Sequence, residues 1–359
     1  MAKARTLVGL DVHAAKVVAA MLDVESGELR FQRLGGDSEP VVRLCGSLVG
    51  PVRASYEAGP TGYGLARALE RAGVECLVAA PGKIPRGATE RVKTDRRDAE
   101  HLVRLLLAGK LCPVRVPGPA EEALRDLVRA REDLRGDLMR ARHRLSKLLL
   151  RHDVRFAGRA WSERHRAWLS KVELPEQAAQ ATFCDYLGAV EALLHRKAEL
   201  ERQVAAAVPD SPWAREVGRL RCLRGVDTLT AVGLCAEIGD FARFARAGQL
   251  MSYLGLVPSE HSSGESRRLG QITRSGSRHA RRLLVEAAWH YRNQPRVGLE
   301  LERRQEGQPP AAVAIAWSAQ RRLHRVWSRM RRRSKRSTVI TVAVARELAG
   351  FCWSITQIE

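Results

Sequence analysis

The sequence lacks a cysteine framework, an apolar stretch of signal-peptide length near its start and a long apolar run. Its seven cysteines are scattered, and no Cys-x-x-Cys pair occurs. An odd, scattered set argues against a disulfide-held secreted fold and against a zinc ribbon. The opening MAKARTLVGLDVH reaches charged residues too early for the apolar part of a signal peptide. No apolar run approaches the roughly 20 residues of a membrane span. We therefore expect a protein of the reducing cytoplasm with no membrane partner.

Acidic charge is in the minority. Asp and Glu number 40 against 61 Lys and Arg, which gives a formal net charge of +21. Such a surface attracts polyanions and releases their counterions, although basic charge also serves solubility. Hydrophobic residues at 45% and charged residues at 28% are typical of a folded chain. The composition favours a folded protein that binds nucleic acid.

The first region of the chain, to about residue 115, mixes strand and helix signals. The pattern predicts strands over 6–10, 17–22 and 29–34, a helix over 38–48, a strand over 52–56, a helix over 63–71, a strand over 74–79, and a last helix. We therefore predict an α/β domain in which three strands precede a helix and the two remaining strands alternate with helices. The length of 359 residues leaves room for one or two further domains.

The second region, about 119–208, reads as helical throughout. Leucines recur at spacings of three, four or seven from Leu124 to Leu148, between dense charged residues, and Leu187 to Val204 repeats the pattern. Two long amphipathic helices favour an antiparallel coiled-coil arm or a dimer contact. A helical bundle inside one domain is the alternative.

The third region begins near Arg215. Gly225-Val226-Asp227, followed by the apolar helix signal from Thr230 to Ile238, indicates a helix-hairpin-helix, whose backbone amides can meet a phosphate. A buried helix that follows a glycine turn would read similarly. Further on, residues 321–336 contain nine Lys or Arg with Trp327 among them. We interpret this run as a track for a phosphate backbone rather than a solvated helix face.

Four carboxylates stand out in the first region. Asp11 follows the first predicted strand, Glu57 closes the fourth, and Asp95 and Asp98 begin the last helix. Capping by Thr94 and the helix dipole alone could explain the last two. However, Asp95 and Asp98 share a helix face with leucines that must pack on something. We therefore expect both carboxylates to point toward the body of the domain.

These carboxylates form a pattern. In a ribonuclease-H-like fold the first and fourth strands lie side by side, so a carboxylate at each strand end and two on a later helix can converge. Clustered carboxylates repel one another, and a divalent cation with oxygen ligands, Mg²⁺ or Mn²⁺, relieves the repulsion. Two such ions can hold the attacking and leaving oxygens of a phosphodiester. The sequence thus predicts metal-dependent phosphodiester chemistry at Asp11, Glu57, Asp95 and Asp98.

A small, polar loop covers 258–266 and is followed by arginines. The serines Ser262, Ser263 and Ser266 lie in it. A serine hydroxyl can attack phosphorus and hold a DNA end covalently, while arginines bind the scissile phosphate and stabilise its developing charge. Spacing alone leaves the choice among the three serines open. The candidate nucleic-acid-binding residues are Arg267, Arg268, Arg274, Arg278, Arg281 and Arg282.

At these residues the chain resembles the DEDD-type transposases of insertion-sequence family one-hundred-ten, the bridge-RNA-guided recombinases. The shared motifs, in order, are GLDVH, SYEAGPTGYGL, VKTDRRDAEHL, LRGVDTLTAVGLCAEIGDF, YLGLVPSEHSSG and ITRSGSRHARRLLVEAAW. Each motif is modestly specific, and six in one order are highly specific. The resemblance spans almost the whole chain.

The resemblance implies a domain plan and an activity. It implies a RuvC-like DEDD domain over 1–115, a coiled-coil linker over 116–212, a mainly helical transposase domain with the serine loop over 213–345, and a C-terminal tail over 346–359. The family quartet falls on Asp11, Glu57, Asp95 and Asp98 with Mg²⁺, and the family serine on Ser263, with Ser262 as the alternative. Strand exchange through a phosphoserine link is implied.

The resemblance also implies partners. They are donor and target DNA, a noncoding guide RNA that pairs with both, and a homodimer that assembles into a tetramer, with the serine of one subunit beside the carboxylates of another. The expected location is the bacterial cytoplasm, with association to the nucleoid. Two other functions compete with this one. A Holliday-junction resolvase or nuclease would use the carboxylates with water and no serine, and a non-catalytic scaffold would use only the charge and the helical arm.

Overall fold

The computed structural model describes residues 4–85, 94–260, 262, 263, 266 and 268–358. Its backbone contacts divide the chain into two units, of which the first ends at Gly118 and the second begins at Pro119. The first unit is mixed α/β and the second is mainly helical. This mixture is consistent with a ribonuclease-H-like domain followed by a helical part.

The first unit follows the predicted order of elements. Its elements are β1 (Thr6–Val12), β2 (Lys16–Asp23), β3 (Leu29–Gly35), α1 (Ser38–Ser47), β4 (Val52–Glu57), α2 (Gly64–Arg71), β5 (Glu75–Ala79) and α3 (Asp95–Leu107). They form one sheet of order β3-β2-β1-β4-β5. The pairs β1–β4 and β4–β5 are parallel, and the other two pairs are antiparallel. The predicted adjacency of the first and fourth strands is confirmed.

Alternate residues of the sheet face two different apolar layers. Val8 and Leu10 of β1 pack with Tyr56 of β4 in the core that α1 and α2 cover. Leu7 and Ala20 face the opposite layer, in which α3 packs. The inner strands β1 and β2 are therefore buried on both sides, which explains their nearly continuous apolar runs, whereas the edge strand β3 has no buried residue.

Gly9 lets α3 approach the centre of the sheet closely. A Cβ at this position of β1 would lie 2.2 Å from the carbonyl oxygen of Ala99 and 2.6 Å from the backbone nitrogen of Val103. Both atoms belong to the backbone of α3, so no side-chain rotation would relieve the contact. The missing side chain of Gly9 thus sets the distance between β1 and the helix that carries Asp95 and Asp98.

The second unit is built from helices and one short hairpin. Its elements are α4 (Pro119–Arg151), α5 (Glu163–Leu169), α6 (Gln177–Ala207), α7 (Ala214–Leu220), α8 (Thr228–Ile238), α9 (Ala247–Tyr253), β6 (Pro258–Glu260), β7 (Leu269–Ile272), α10 (Arg278–Ala288), α11 (Leu299–Gln305), α12 (Pro310–Arg332) and α13 (Ser337–Thr356). Leu124 at the start of α4 shares a core with Val204 at the end of α6. Leu145 and Phe183 share another core, so α4 and α6 are antiparallel.

The end of the chain is a core helix. Residues 346–356, assigned to a tail from the sequence, form the second half of α13, and Leu348, Cys352 and Ile355 are buried. Within the described residues, α13 is also the one helix long and apolar enough to cross a membrane by length and composition. The sequence showed no such run because Arg346 and Glu347 interrupt it. Burial of its apolar side in the helical core accounts for this composition.

Candidate metal and nucleophile sites

Asp11 and Glu57 lie at one edge of the sheet, at the ends of β1 and β4. The parallel register pairs Leu10 with Tyr56, so Asp11 and Glu57 are the next residues along two neighbouring strands. Leu10 and Tyr56 are buried on the side of α1 and α2, and alternation turns the following residues to the side of α3. Neighbouring strands are about 4.8 Å apart, which brings the backbones at Asp11 and Glu57 together.

The first turn of α3 brings Asp95 and Asp98 to the same edge. Thr94 caps the helix, since its side chain accepts a hydrogen bond from the backbone nitrogen of Arg97. Capping is therefore done by Thr94, and the two aspartates interact elsewhere. Asp95 accepts a hydrogen bond from the ammonium of Lys16, and the charge of Asp98 acts on Asp11. The charges of Asp95 and Asp98 thus both act on Asp11, and Glu57 ends the neighbouring strand at the same edge.

His13 and Lys16 belong to this group, although the sequence analysis did not single them out. The Nε2 atom of His13 lies 3.0 Å from Oδ2 of Asp11 and 3.8 Å from Oδ1 of Asp95. His13 follows Asp11 by two residues in extended chain, a spacing that turns both side chains to one face. That spacing is the sequence signal from which His13 could have been predicted as a neighbour of Asp11. Lys16 opens β2, and no spacing rule links it to Asp95 on α3.

The electrostatics of the site reflect crowding of negative charge. Burial raises the pKa of Asp11 above its usual range, the His13 hydrogen bond offsets part of this, and the nearby charges of Asp98 and Asp95 add to the rise. The hydrogen bond from Lys16 lowers the pKa of Asp95. Repulsion among the carboxylates is thus moderated by two basic side chains of the same unit. A cation among these oxygens would relieve the same repulsion.

The donor atoms fit a divalent cation. One ligand atom each from Asp11, His13 and Asp95 can be chosen such that all three lie within 4.8 Å of one another. Carboxylate oxygens are the ligands that Mg²⁺ and Mn²⁺ prefer. The group is only partly buried, as a centre that must meet a large substrate requires. The structure thus contains a candidate metal site at the predicted edge of the sheet.

The predicted serine loop is a short hairpin in the second unit. Strands β6 and β7 are antiparallel, with Pro258 opposite Ile272 and Glu260 opposite Leu269. Beyond them Ser263 and Ser266 exchange two backbone hydrogen bonds of 3.2 and 3.1 Å. Both serines are exposed. The Ser262 hydroxyl donates to Oε1 of Glu260 at 2.8 Å.

The base of the hairpin is held firmly. Gly255 has a φ of +63°, and a Cβ there would lie 2.3 Å from the carbonyl oxygen of Ser275, so the two chain segments cross closely. The guanidinium of Arg281 donates to the carbonyl oxygens of Leu254 at 3.2 Å and Gly276 at 3.1 Å, and also to that of Ser275. The hairpin therefore projects from a cross-linked base.

The candidate arginines divide into two groups. Arg268, Arg274 and Arg278 are exposed, as phosphate-binding residues must be. Arg281 is occupied at the hairpin base, and Arg282 pairs with Glu132 of α4 at 2.6 Å and with Glu286 at 2.7 Å. Both therefore hold the second unit together in this structure. Arg267 lies outside the described residues.

Comparisons with known families agree with this arrangement. A family model described as a transposase of the DEDD insertion-sequence type matches residues 8–152, a range that contains all four carboxylates. A second model, described as the transposase IS116/IS110/IS902 family, matches residues 217–298, which include the hairpin.

Similar proteins extend these matches over the chain. The putative transposase y4qE of Sinorhizobium fredii is 41% identical over 358 residues, which cover 98% of this chain and 88% of that protein. The transposase for insertion sequence element IS1533 of Leptospira borgpetersenii is 33% identical over 93% of this chain and 99% of that protein. These matches define a DEDD-type transposase. More particularly, the chain belongs to the IS110/IS116 family of insertion-sequence transposases, which implies an enzyme that cuts and rejoins DNA.

Proposed function

We propose that this transposase cuts and rejoins DNA through two cooperating sites, a divalent-metal centre on the carboxylate quartet and a serine nucleophile in the hairpin. The observation that carries the proposal is the convergence of Asp11, Asp95 and Asp98 at one sheet edge beside Glu57 in a chain with a net charge of +21. Acidic groups that meet at one edge of a basic protein would serve to bind a cation. Family membership does not favour the resolvase alternative, since the relatives are named as transposases.

The carboxylates would hold Mg²⁺ or Mn²⁺. When bound, such an ion supplies positive charge for the phosphate oxygens and lowers the pKa of an attacking oxygen. The chain itself serves to orient the four carboxylates. Asp11 and Glu57 are fixed by the sheet register, Asp95 and Asp98 by the close packing of α3 at Gly9. Before a cation binds, His13 keeps the Asp11 carboxylate in place through its 3.0 Å hydrogen bond, and Lys16 does the same for Asp95.

The serine would carry the covalent step. Its Oγ attacks phosphorus, a bond forms between Oγ and phosphorus, and the bond from phosphorus to one deoxyribose oxygen breaks. The proton lost by the serine is balanced by the proton taken up at the released sugar hydroxyl. The reverse attack by a sugar hydroxyl of another strand joins DNA and restores the serine. The exposed guanidiniums of Arg268, Arg274 and Arg278 would bind the phosphate.

Ser263 is the proposed nucleophile, and Ser262 is its alternative. The exposure of Ser263 near the tip of a hairpin with a fixed base supports this choice. The Ser262 hydroxyl is engaged by Glu260. Because a carboxylate beside a serine hydroxyl can accept its proton, this hydrogen bond keeps Ser262 as the alternative.

The proposal extends to assembly. The antiparallel pair α4 and α6 would act as a coiled-coil linker between a RuvC-like domain and the transposase domain, and α7 and α8 as a helix-hairpin-helix. A homodimer would assemble into a tetramer, with the serine of one subunit beside the carboxylates of another. A noncoding guide RNA would select donor and target DNA in the bacterial cytoplasm, at the nucleoid. The net basic charge supports binding of both nucleic acids.

A trapped protein–DNA adduct tests the mechanism. The gene would be expressed with its native flanking DNA, so that any guide RNA is present, and incubated with donor DNA, target DNA and Mg²⁺ before denaturing electrophoresis. We expect an adduct that survives detergent in the wild type. It should be absent in Ser263→Ala, which removes the nucleophile, in Asp11→Asn, which weakens the metal centre, and without divalent metal.

Ser262→Ala is the matched control because it removes a hydroxyl one residue away. We expect its adduct to remain. If the adduct is lost in Ser262→Ala and kept in Ser263→Ala, Ser262 and not Ser263 is the nucleophile. Metal-dependent cleavage that yields no adduct and ignores both serines would contradict the serine mechanism and leave a carboxylate nuclease.

A further inference from the structure

The outward face of α12 carries an unusual density of positive charge. Nine Lys or Arg fall within 321–336, and no Asp or Glu occurs anywhere from 307 to 346. Like charges three or four residues apart destabilise a helix. The basic side chains of this stretch thus repel one another, and the stretch contains no acidic residue that would offset the repulsion.

Four of these arginines line one face of the helix. They are spaced four, four and three residues apart, and all are exposed. We name them the basic face. Its members are Arg321, Arg325, Arg329 and Arg332. At a rise of about 1.5 Å per residue, neighbouring members are about 5 to 6 Å apart along the axis and the row is about 16 Å long.

The opposite face of α12 is fixed in the core. Ala316, Leu323, Val326 and Trp327 are all buried, and α12 packs against α13 in the same apolar cluster. The arginines therefore project from a rigid element, not from a tail. The exposed positive charge continues beyond the helix through residues 333–336.

Arginines elsewhere in the described chain are widely paired with carboxylates, as Arg131 is with Glu201 and Arg282 with Glu132. Among the nine basic residues of 321–336, all of them in the described part, Arg322 alone forms an ion pair, with Glu347 at 2.7 Å. Arg322 is not a member of the basic face. The four members thus project guanidiniums that have no acidic partner among the described residues of the second unit.

We propose that the basic face binds the phosphate backbone of a nucleic acid strand, outside the serine hairpin and the carboxylates. Guanidinium groups pair with phosphates through charge-assisted hydrogen bonds, and a straight row of them follows successive phosphates without reading bases. The surface lies beyond both family-model matches, which end at residues 152 and 298. The inference rests on the proposed function only in taking nucleic acid as the substrate class.

Salt-dependent binding by the full chain tests the proposal. The test variant combines Arg321→Gln, Arg325→Gln, Arg329→Gln and Arg332→Gln. Its control removes four exposed arginines that are paired with neighbouring carboxylates elsewhere in the second unit. The control changes are Arg140→Gln, Arg155→Gln, Arg202→Gln and Arg303→Gln. Both variants lose the same formal charge, so a difference between them reports position.

The probes are random-sequence duplex DNA, single-stranded DNA and RNA of one length, each with a fluorescent end label. Binding would be followed by anisotropy from about 50 to about 200 mM salt. For duplex DNA we expect the slope of log K against log salt to become shallower by about 3 to 4 in the test variant, because each lost phosphate contact contributes about 0.9. Affinity should fall by at least about tenfold at low salt. The probe that loses most slope identifies the strand type.

Several results would overturn the proposal. One is an unchanged slope for all three probes in the test variant, and another is an equal loss in the control. A changed oligomeric state in light scattering with unchanged slopes would make the face a protein interface instead. Thermal melting of both variants checks that they fold. If the fourfold test variant unfolds, the single variant Arg325→Gln takes its place. If the wild type binds as expected but neither cleaves nor joins DNA, the proposed function fails and the basic face stands.

Discussion

Replacing Gly9 should separate the two halves of the carboxylate site. In Gly9→Ala the new methyl would lie 2.2 Å from the carbonyl oxygen of Ala99 and 2.6 Å from the nitrogen of Val103. Carbon atoms rest at about 3.5 Å or slightly less from such neighbours, so α3 must move outward by about 1 Å. Overpacking of this kind costs about 1 to 3 kcal/mol.

The displacement should cost more activity than stability. Asp95 and Asp98 move with α3, whereas Asp11 and Glu57 stay with the sheet. A misplacement of about 1 Å at a reacting centre can lower a rate by about 10²-fold. Two measurements on the same sample check this, thermal denaturation and the rate of metal-dependent DNA cleavage. We expect the melting temperature to fall by several degrees and the cleavage rate to fall by about two orders of magnitude.

Gly35→Ala is the matched control. Gly35 ends β3 in the same sheet, and a Cβ there meets no atom within 4 Å, so we expect wild-type melting and cleavage. The reasoning would be refuted by a Gly9→Ala protein that melts and cleaves like the wild type. It would also be refuted by parallel losses of equal size in both glycine variants.

Two further predictions concern stability of the second unit. Burial alone would raise the pKa of Glu237, but the His279 ring, the Ser277 hydroxyl and Arg129 lower it from 4.5 to about 2. The ionised carboxylate therefore stabilises the fold above pH 4.5, and this contribution of about 2 to 3 kcal/mol is lost as pH falls toward 2. In Glu237→Gln we expect this part of the pH dependence of unfolding to vanish. Asp227→Ala removes the cap that accepts the Thr230 amide at 2.7 Å and should lower unfolding free energy by about 1 kcal/mol in chemical denaturation.

Each change has a conservative control. Glu300→Gln alters a carboxylate that is 87% exposed and should leave acid unfolding as it is. Asp227→Asn keeps a side-chain oxygen for the cap and should retain most of the stability. A Glu237→Gln protein with the acid titration of the wild type would contradict the first prediction. Equal unfolding free energies for Asp227→Ala and the wild type would contradict the second.

The sequence predicts the sheet well because its strands are separated by turn residues and its inner strands are buried on both faces. The order of elements and the adjacency of β1 and β4 were accessible for that reason. The common facing of Asp95 and Asp98 followed from helical spacing, since Leu102 and Leu105 share their side and are buried. These features depend on neighbours within one element, which periodicity reports directly.

The sequence could not predict ion pairs between residues of different helices and strands. No pattern near Arg282 points to Glu132, which lies 150 residues away on α4, so the ion pair between these two helices could not be predicted. Lys16 and Asp95 are 79 residues apart. The two strands of the hairpin could not be predicted for a different reason. Leu269 and Gly270 are exposed, so β7 has no alternation of buried and exposed residues that would indicate a strand.

The ion pair between Arg282 and Glu132 links α10, the helix that follows the serine hairpin, to α4. Glu132 lies in the first half of α4, and Arg282 lies in the second turn of α10, a helix that begins six residues after β7 ends. The guanidinium of Arg281, one residue earlier, grips the hairpin base. A shift of α4 would therefore act on the base of the hairpin that carries Ser263 through one ion pair and one guanidinium.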